Sequence, residues 1–198
     1  MISNAKIFGL VLSGGKSSRM GTDKGLIDYH GMPQREFLYH MLDQICERTF
    51  ISIRADQTAD IPSDMAVIVD EDQVKGPYNG LLSAHHQFPE VAWLVLACDL
   101  PLIDLEALNA LLAERRPEMM ATAFALKENP LPEPLCAIWE PRALQRSVSF
   151  LETGKGSCPR KFLINNPVHL VFPKNEKVLL NANSRAEYLE ALNKLSTA

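Results

Sequence analysis

Short apolar runs recur along the chain and indicate the strands of a buried sheet. Ile7–Leu12 and Ala92–Ala97 are almost continuously apolar, a pattern typical of strands that are covered on both faces. Four more runs of this kind predict further strands at Phe50–Ile53, Ala66–Val69, Met119–Ala125 and Leu135–Trp139.

Segments with helical patterning lie between these runs. Apolar residues recur at helical spacing over Gln34–Glu47, and a shorter helix is predicted over Asn79–Gln87. Asp104 is suited to cap a third helix, and Ser184 with Glu187 forms a capping box before a last one. The alternation predicts an α/β fold, a three-layer α/β/α sandwich with a Rossmann-like, mostly parallel sheet, in one domain spanning residues 1–198. In such sheets ligands bind at the carboxyl ends of the strands.

The first predicted strand runs directly into a glycine-rich, basic loop. Leu12 is followed by SGGKSSRMGTDK, which contains two adjacent glycines, four hydroxyl residues and three cations. Gly14 and Gly15 allow the backbone to approach an anion closely. The cations, which include Arg19 and Lys24, can neutralise its charge. The loop therefore predicts a cradle for phosphate groups, with an ordinary polar surface turn as the alternative.

Two common phosphate-binding patterns do not match this loop. The P-loop pattern G-x-x-x-x-G-K-[ST] requires glycine at position 10, where the chain has Leu10. The dinucleotide pattern G-x-G-x-x-G fails because Gly14 and Gly15 are adjacent. The remaining pattern, L-x-G-G-x-S-x-R-M-G-x-x-K, resembles that of nucleotidyltransferases, which move a nucleoside monophosphate from an NTP to a phosphorylated acceptor.

A carboxylate follows the most apolar of the predicted strands. Asp99 comes directly after Ala92–Ala97 and Cys98. Mg²⁺ prefers oxygen ligands and is commonly held by one or two carboxylates together with substrate phosphates. Asp99 is therefore predicted to bind Mg²⁺. The alternative is a turn or helix-entry residue, but Asp104 already fits the cap of the next helix.

Three more polar segments are candidates for binding. The turn at Gly76–Gly80 can present backbone N–H groups to a base or a phosphate, or is an ordinary turn. Asn181 and Asn183 are two residues apart, so in an extended segment their side chains point the same way. Their amide oxygens can bind a hard cation or orient an acceptor; a loop leading to the capping box is the alternative. Gly154–Lys161 is basic, and is either a site for an anionic acceptor or a solvated loop.

Composition excludes several classes of protein. The formal net charge of −4 argues against a nucleic-acid-binding protein. No apolar stretch reaches the roughly 18 residues of a membrane span, and the N-terminal segment lacks the pattern of a secretory signal. The four cysteines are far apart and form no CxxC pair. We expect a reduced, cytoplasmic protein without a zinc site.

These segments together resemble the molybdenum cofactor guanylyltransferase family, whose members make the guanine dinucleotide form of molybdopterin. The resemblance extends over nearly the whole chain. It is carried by LSGGKSSRMGTDKGL at 12–26, GPYNGL at 76–81, CDLPLI at 98–103, EPLCAIWEP at 133–141 and LNANS at 180–184.

The resemblance implies roles for individual residues. In the family the glycine loop and a lysine contact the GTP phosphates, the Asp after the central strand binds Mg²⁺, and an Asp before the Gly-Pro turn contacts the nucleotide. Either Asp70 or Asp72 can fill the last position. The nucleotide-binding residues expected here are Leu12, Ser13, Gly14, Gly15, Lys24, Ser52, Asp70, Gly76, Asp99, Asn181 and Asn183. Catalysis is expected from Lys24, Asp99 and Arg19, with Asp99 holding the metal.

The choice of base is less sharply implied. The family often has Asn after the second strand, whereas this chain has Ser52, Ile53 and Arg54 there. Related enzymes that use CTP usually have Ala-Ala-Gly where this chain has Ser13, Gly14 and Gly15, which favours GTP.

The expected reaction is transfer of GMP from MgGTP to the phosphate of molybdopterin, with or without molybdenum, releasing pyrophosphate. The expected partners are GTP, molybdopterin and transient proteins that deliver the cofactor, with no nucleic acid and no membrane. One alternative is a cytidylyl- or sugar-phosphate nucleotidyltransferase of the same fold. The other is a non-catalytic nucleotide-binding regulator.

Overall fold

The computed structural model describes residues 5–15, 23–72, 74–152 and 157–195, and seven strands and six α-helices lie within these ranges. The strands are β1 (Ile7–Leu12), β2 (Thr49–Ile53), β3 (Val67–Val69), β4 (Ala92–Ala97), β5 (Ala121–Phe124), β6 (Cys136–Trp139) and β7 (Val168–Val171). The helices are α1 (Gln34–Asp43), α2 (Tyr78–Gln87), α3 (Leu105–Ala113), α4 (Pro141–Glu152), α5 (Pro159–Ile164) and α6 (Arg185–Leu195). Short 3₁₀ helices occur at Lys24–Leu26, Ala55–Asp60 and Glu176–Leu179.

The strands form a single mixed sheet in the order β3-β2-β1-β4-β6-β5-β7. β1 pairs in parallel with β2 and β4, and β2 pairs in parallel with β3. β6 is antiparallel to both of its neighbours, β4 and β5, so it alone among these strands runs in the opposite direction. The predicted α/β fold with a mostly parallel sheet is confirmed.

Helices cover both faces of the sheet. Successive side chains of a strand point to opposite faces, and β4 shows the division because all six of its residues are buried. Leu94 and Leu96 belong to a core cluster that includes side chains of α1 and α3. Trp93 and Val95 belong to a second cluster with side chains of α2, α4 and α5. These two cores make the layered sandwich that the alternating pattern predicts.

Local signals place several element boundaries as predicted. β1 and β4 have the predicted bounds. The carboxylate of Asp104 accepts a hydrogen bond from the backbone N–H of Ala107 at 2.8 Å, which caps α3. Ser184 Oγ accepts from the N–H of Glu187 at 3.3 Å at the start of α6. The carboxylate of Glu187 reaches back one residue further than a standard capping box, to the N–H of Asn183 at 2.8 Å.

Other boundaries differ from the sequence prediction. α1 ends at Asp43 rather than Glu47, because the N–H of Glu47 donates to the carbonyl of Ile7 at 3.2 Å and the chain leaves the helix to join the sheet. The segment predicted as a basic loop over 154–161 contains the start of α5, since Pro159, Arg160 and Lys161 are helical. Pro159 is the first residue of α5, a position at which proline is well tolerated.

The C-terminal part of the chain returns to the carboxyl ends of the strands. Tyr29, Ala182 and Ala191 form a small buried cluster that packs α6 near the turn beginning at Lys24. The N–H of Ala182 donates to the backbone carbonyl of Asp99 at 2.8 Å. Asn183 is thereby held beside the end of β4. Within the described ranges, no helix is long and apolar enough to cross a membrane.

Candidate active site

A cleft of about 780 Å³ opens at the carboxyl ends of β1, β2, β3 and β4. Its position agrees with the general rule for ligand sites in such sheets. Of the residues predicted from the sequence, the cleft is lined by Leu12, Ser13, Gly14, Gly15, Lys24, Ser52, Asp70, Gly76, Asp99 and Asn183. The structure therefore brings together most of a set that is spread over more than half the chain.

One of the predicted residues that the structure describes is not part of this arrangement. Asn181 does not line the cleft, and its Nδ2 donates to the carbonyl of Leu179 at 3.2 Å, so the side chains of Asn181 and Asn183 are not used together. Arg19 lies outside the described residues. Arg160, from the basic segment, does not line the cleft either and pairs with Glu133 at 2.6 Å.

Lys24, Asp99 and Asn183 meet at one side of the cleft. Lys24 Nζ donates to Asn183 Oδ1 at 2.5 Å and lies 3.5 Å from Asp99 Oδ2. The side chains of Lys24 and Asp99 are 24% and 21% exposed, so both face the cleft while remaining largely enclosed. An ammonium group beside a carboxylate and an amide oxygen can bind an anion and a hard cation together.

Asp70 forms the opposite side of the cleft with Ser52 and Gly14. Ser52 Oγ donates to Asp70 Oδ1 at 2.6 Å. A Cβ atom at Gly14 would lie 2.3 Å from Asp70 Oδ2, so a larger residue there would require the Asp70 carboxylate to move. Burial raises the pKa of Asp70, against the effect of the Ser52 hydrogen bond. Asp70 is thus a half-buried acceptor that lines the cleft.

Asp72 also borders the cleft but is exposed. It accepts a hydrogen bond from Asn79 Nδ2 at 3.3 Å, and its φ of 54° is in the left-handed region. Asp72 is therefore a turn residue next to the start of α2. Of the two carboxylates that the sequence left open, Asp70 is the one enclosed by the ends of β1 and β2.

The turn before α2 closes this side of the cleft. Gly76 has a φ of 78°, a conformation that favours glycine. Gly80, in the first turn of α2, lies so close to β2 that a Cβ atom there would be 2.1 Å from Ser52 Oγ. The Gly-Pro motif therefore serves first to bring the helix start against β2 and the cleft.

Sequence reasoning did not identify three residues that shape the cleft. Asp23 and Arg54 line it, and Gln57 is buried directly behind it. Arg54 Nη1 donates to the carbonyl of Gly14 at 3.0 Å. Gln57 Nε2 donates to Asp23 Oδ2, across 34 residues of sequence. These contacts join separate loops, so no local pattern marks them; the only signal is Asp23 two residues before Gly25, a spacing typical of a capping carboxylate.

Cys98 also lines the cleft, next to Asp99. Burial raises the pKa of its thiol to about 12, so it remains protonated at neutral pH. Since the thiolate is the reactive form of cysteine, Cys98 is a packing residue and not a nucleophile.

The donors at this site suit Mg²⁺ better than a zinc-type centre. Among the described residues there is no group of three or more His, Cys, Asp and Glu side chains that could hold a metal ion. Asp99 and Asn183 offer one carboxylate and one amide oxygen close together in the cleft. A Mg²⁺ ion that takes its other ligands from phosphates and water needs little more from the protein, so these residues fit it.

Comparison with known proteins identifies the family to which the chain belongs. The family model of the MobA-like NTP transferase domain matches residues 9–169, from within β1 to the first half of β7. The chain belongs to this family. It is accordingly a nucleotidyltransferase, and the family resemblance of its motifs is confirmed.

Individual relatives of this MobA-like chain agree. It is 37% identical over 188 residues to a molybdenum cofactor biosynthesis bifunctional protein of Synechocystis sp., covering 94% of this chain and 54% of that protein, about half its length. It is 30% identical over 182 residues to a molybdenum cofactor guanylyltransferase of Ectopseudomonas mendocina, covering 88% and 86% of the two chains. A crystal structure of molybdopterin-guanine dinucleotide biosynthesis protein A from Archaeoglobus fulgidus has a TM-score of 0.79 at 20% identity, covering 96% and 100%, and therefore shares the fold.

Proposed function

We propose that this MobA-like nucleotidyltransferase acts in molybdenum cofactor biosynthesis and transfers GMP from MgGTP to the terminal phosphate of molybdopterin, releasing pyrophosphate. The observation that carries the proposal is the position of Lys24 beside Asp99, in the cleft that Gly14 and Gly15 also line. The names of relatives that match most of the chain support the same substrate pair. Delivery of molybdopterin by a transient protein partner belongs to the same proposal.

The proposed reaction needs charge neutralisation and positioning rather than a base. The acceptor phosphate is already a nucleophile, so no proton has to be removed before it attacks the α-phosphorus. Lys24 binds the triphosphate and offsets its charge, while the backbone at Gly14 and Gly15 lies close to the phosphates. When bound to Asp99, Mg²⁺ supplies Lewis-acid stabilisation of the phosphate oxygens.

The base-binding side of the proposed site is the corner formed by Leu12, Ser52 and Asp70. Guanine presents N1–H and N2–H₂ as donors, which a carboxylate such as Asp70 can accept, and O6 as an acceptor for backbone N–H groups. Adenine has the opposite pattern at that edge and would leave buried polar groups unpaired. A site built on such hydrogen bonds rejects the wrong base more strongly than shape alone does.

A competition assay tests this proposal. The chain is incubated with molybdopterin, Mg²⁺ and each of GTP, CTP, ATP and UTP, and both pyrophosphate and the dinucleotide product are measured. GTP is expected to exceed ATP by a wide margin and CTP by a smaller one. Faster transfer from CTP would replace the guanylyl assignment by the cytidylyl alternative. Nucleotide binding without any pyrophosphate release would instead favour a non-catalytic regulator.

A further inference from the structure

Gln57 is a buried side chain at which three loops of the cleft meet. It lies in the 3₁₀ helix Ala55–Asp60 and is only 4% exposed. Its Oε1 accepts from the backbone N–H of Arg54 at 2.9 Å, at the end of β2. Its Nε2 donates to Asp23 Oδ2 and, at 3.4 Å, to the carbonyl of Ser13 beyond β1. Both ends of the amide are therefore in use.

The Asp23 carboxylate connects Gln57 to the turn that carries Lys24. Asp23 is the N-cap of the 3₁₀ helix Lys24–Leu26, and its Oδ1 accepts from the N–H of Gly25 at 2.9 Å. The turn is also pressed against Ser13, because a Cβ atom at Gly25 would lie 2.3 Å from Ser13 Oγ. The backbone of Lys24 is thus held from the side of β1 and β2, while its ammonium group meets Asp99 and Asn183.

We propose that Gln57 is a positioning residue that acts through Asp23 to hold the Lys24 turn where its ammonium group reaches the bound triphosphate. This inference rests on the proposed function, in which Lys24 binds nucleotide. Gln57 itself does not line the cleft, so any effect on nucleotide binding has to pass through its neighbours.

The polarity of the Gln57 amide makes the proposal testable by an exchange. In Gln57→Glu a carboxylate faces Asp23, which removes the donor and places two negative charges together. In Asp23→Asn two amides meet, and they cannot both keep their other hydrogen bonds. In the double variant the new amide at position 23 can donate to the new carboxylate at position 57, while its oxygen still accepts from the N–H of Gly25. The exchange restores the link and leaves the net charge of the pair unchanged.

The wild-type chain is first titrated by calorimetry with each of the four Mg²⁺-NTPs. The nucleotide that it binds most tightly is then used to measure the affinity of every variant. Gln57→Glu is expected to weaken affinity about tenfold to 150-fold, the range for losing a hydrogen bond to a charged group. The double variant is expected to return to within about fivefold of wild type, since only the long contact to Ser13 is lost. Gln44→Glu is the matched control, because Gln44 is exposed at the end of α1, away from the cleft, and should leave affinity unchanged.

A second measurement separates positioning from a merely structural role. In a Lys24→Ala background the turn has no ammonium group to position, so Gln57→Glu should cause less than about a threefold further loss. The proposal would be overturned if Gln57→Glu lowered nucleotide affinity by the same factor with and without Lys24. It would also be overturned if the single variants bound nucleotide within about threefold of wild type, or if the double variant bound no better than Gln57→Glu. If Gln57→Glu does not fold, Gln57→Asn, which is too short to reach Asp23, replaces it. A folded wild-type chain that binds none of the nucleotides would overturn the proposed function instead.

Discussion

Gly14 and Gly15 are neighbours with different surroundings: Gly14 packs against Asp70, whereas Gly15 faces open space in the described part of the chain. Alanine at each position tests these two environments separately. A Cβ atom at Gly14 would lie 2.3 Å from Asp70 Oδ2, whereas a Cβ atom at Gly15 has no atom within 4 Å among the described residues. Neither glycine has a positive φ, so backbone strain does not enter the comparison. We expect Gly14→Ala to destabilise the fold and Gly15→Ala to leave it unchanged.

The magnitude for Gly14→Ala follows from the contact that must give way. To clear the new methyl group, Asp70 has to turn from Ser52 Oγ, with which it forms a 2.6 Å hydrogen bond. Loss of a hydrogen bond to a charged group costs about 1.5–3 kcal/mol. For a chain of this size, each kcal/mol lowers Tm by roughly 2–4 °C, so we expect a decrease of about 3–12 °C. Gly15→Ala should change Tm by less than about 2 °C.

Thermal unfolding without ligand, followed by titration with MgGTP, tests both variants. Gly14→Ala should lose stability and affinity together, because Asp70 is displaced. Gly15→Ala should lose affinity at unchanged Tm if the open space beside Gly15 is where the phosphates lie. A Gly14→Ala chain with the Tm of wild type would refute the close packing of the loop on Asp70. An unchanged MgGTP affinity for Gly15→Ala would refute its place beside the phosphates.

Three other substitutions test the rest of the cleft. Asp99→Ala should reduce transfer by several orders of magnitude at unchanged Tm, because metal stabilisation contributes several kcal/mol; near-wild-type turnover at saturating Mg²⁺ would contradict this. Lys24→Ala should weaken MgGTP binding by about 1.5–3 kcal/mol, roughly tenfold to 150-fold by calorimetry, while Lys174→Ala, at an exposed lysine paired with Glu106, should not. Burial raises the pKa of Asp70 above its usual 3.8, so the folded chain keeps that proton to higher pH than the unfolded chain, and stability falls as pH rises through this window. Asp70→Asn removes the cost of burying this charge and should gain Tm relative to wild type as pH rises above about 4; identical Tm profiles would refute the buried charge.

The strands and most of the site residues were predictable because their signals are local. The apolar runs at Ile7–Leu12 and Ala92–Ala97 are buried on both faces, and such runs need no tertiary information to be recognised. Polar residues directly after such strands converge at one edge of a parallel sheet, which is why Gly14 and Asp99 were found together. The order and direction of the strands produce this convergence independently of the conformation of the loops.

The missed features depend on contacts between distant segments. β7 is short and half exposed, so it carries little apolar signal. The end of α1 is decided by the pairing of Glu47 with Ile7, which competes with helical periodicity. The side chains of Asn181 and Asn183 were expected from their spacing to point the same way, but the chain there is not a strand and they have different partners. The spacing of Gln57 from Arg54 marks only a local capping contact, whereas its bond to Asp23 arises only when separate loops meet.

The reversed strand β6 has a consequence for how this cleft can change. On the side of β1, β2 and β3, the cleft wall is made of residues that directly follow the carboxyl end of a strand. Leu135, in contrast, lines the cleft just before the chain enters β6, at the end of the connection 125–135. Connections of this kind tolerate insertion and deletion far better than strands do. One wall can therefore diverge in length and chemistry while the sheet fixes the other, so that proteins built on the same scaffold can change the ligand at one wall and keep the ligand at the other.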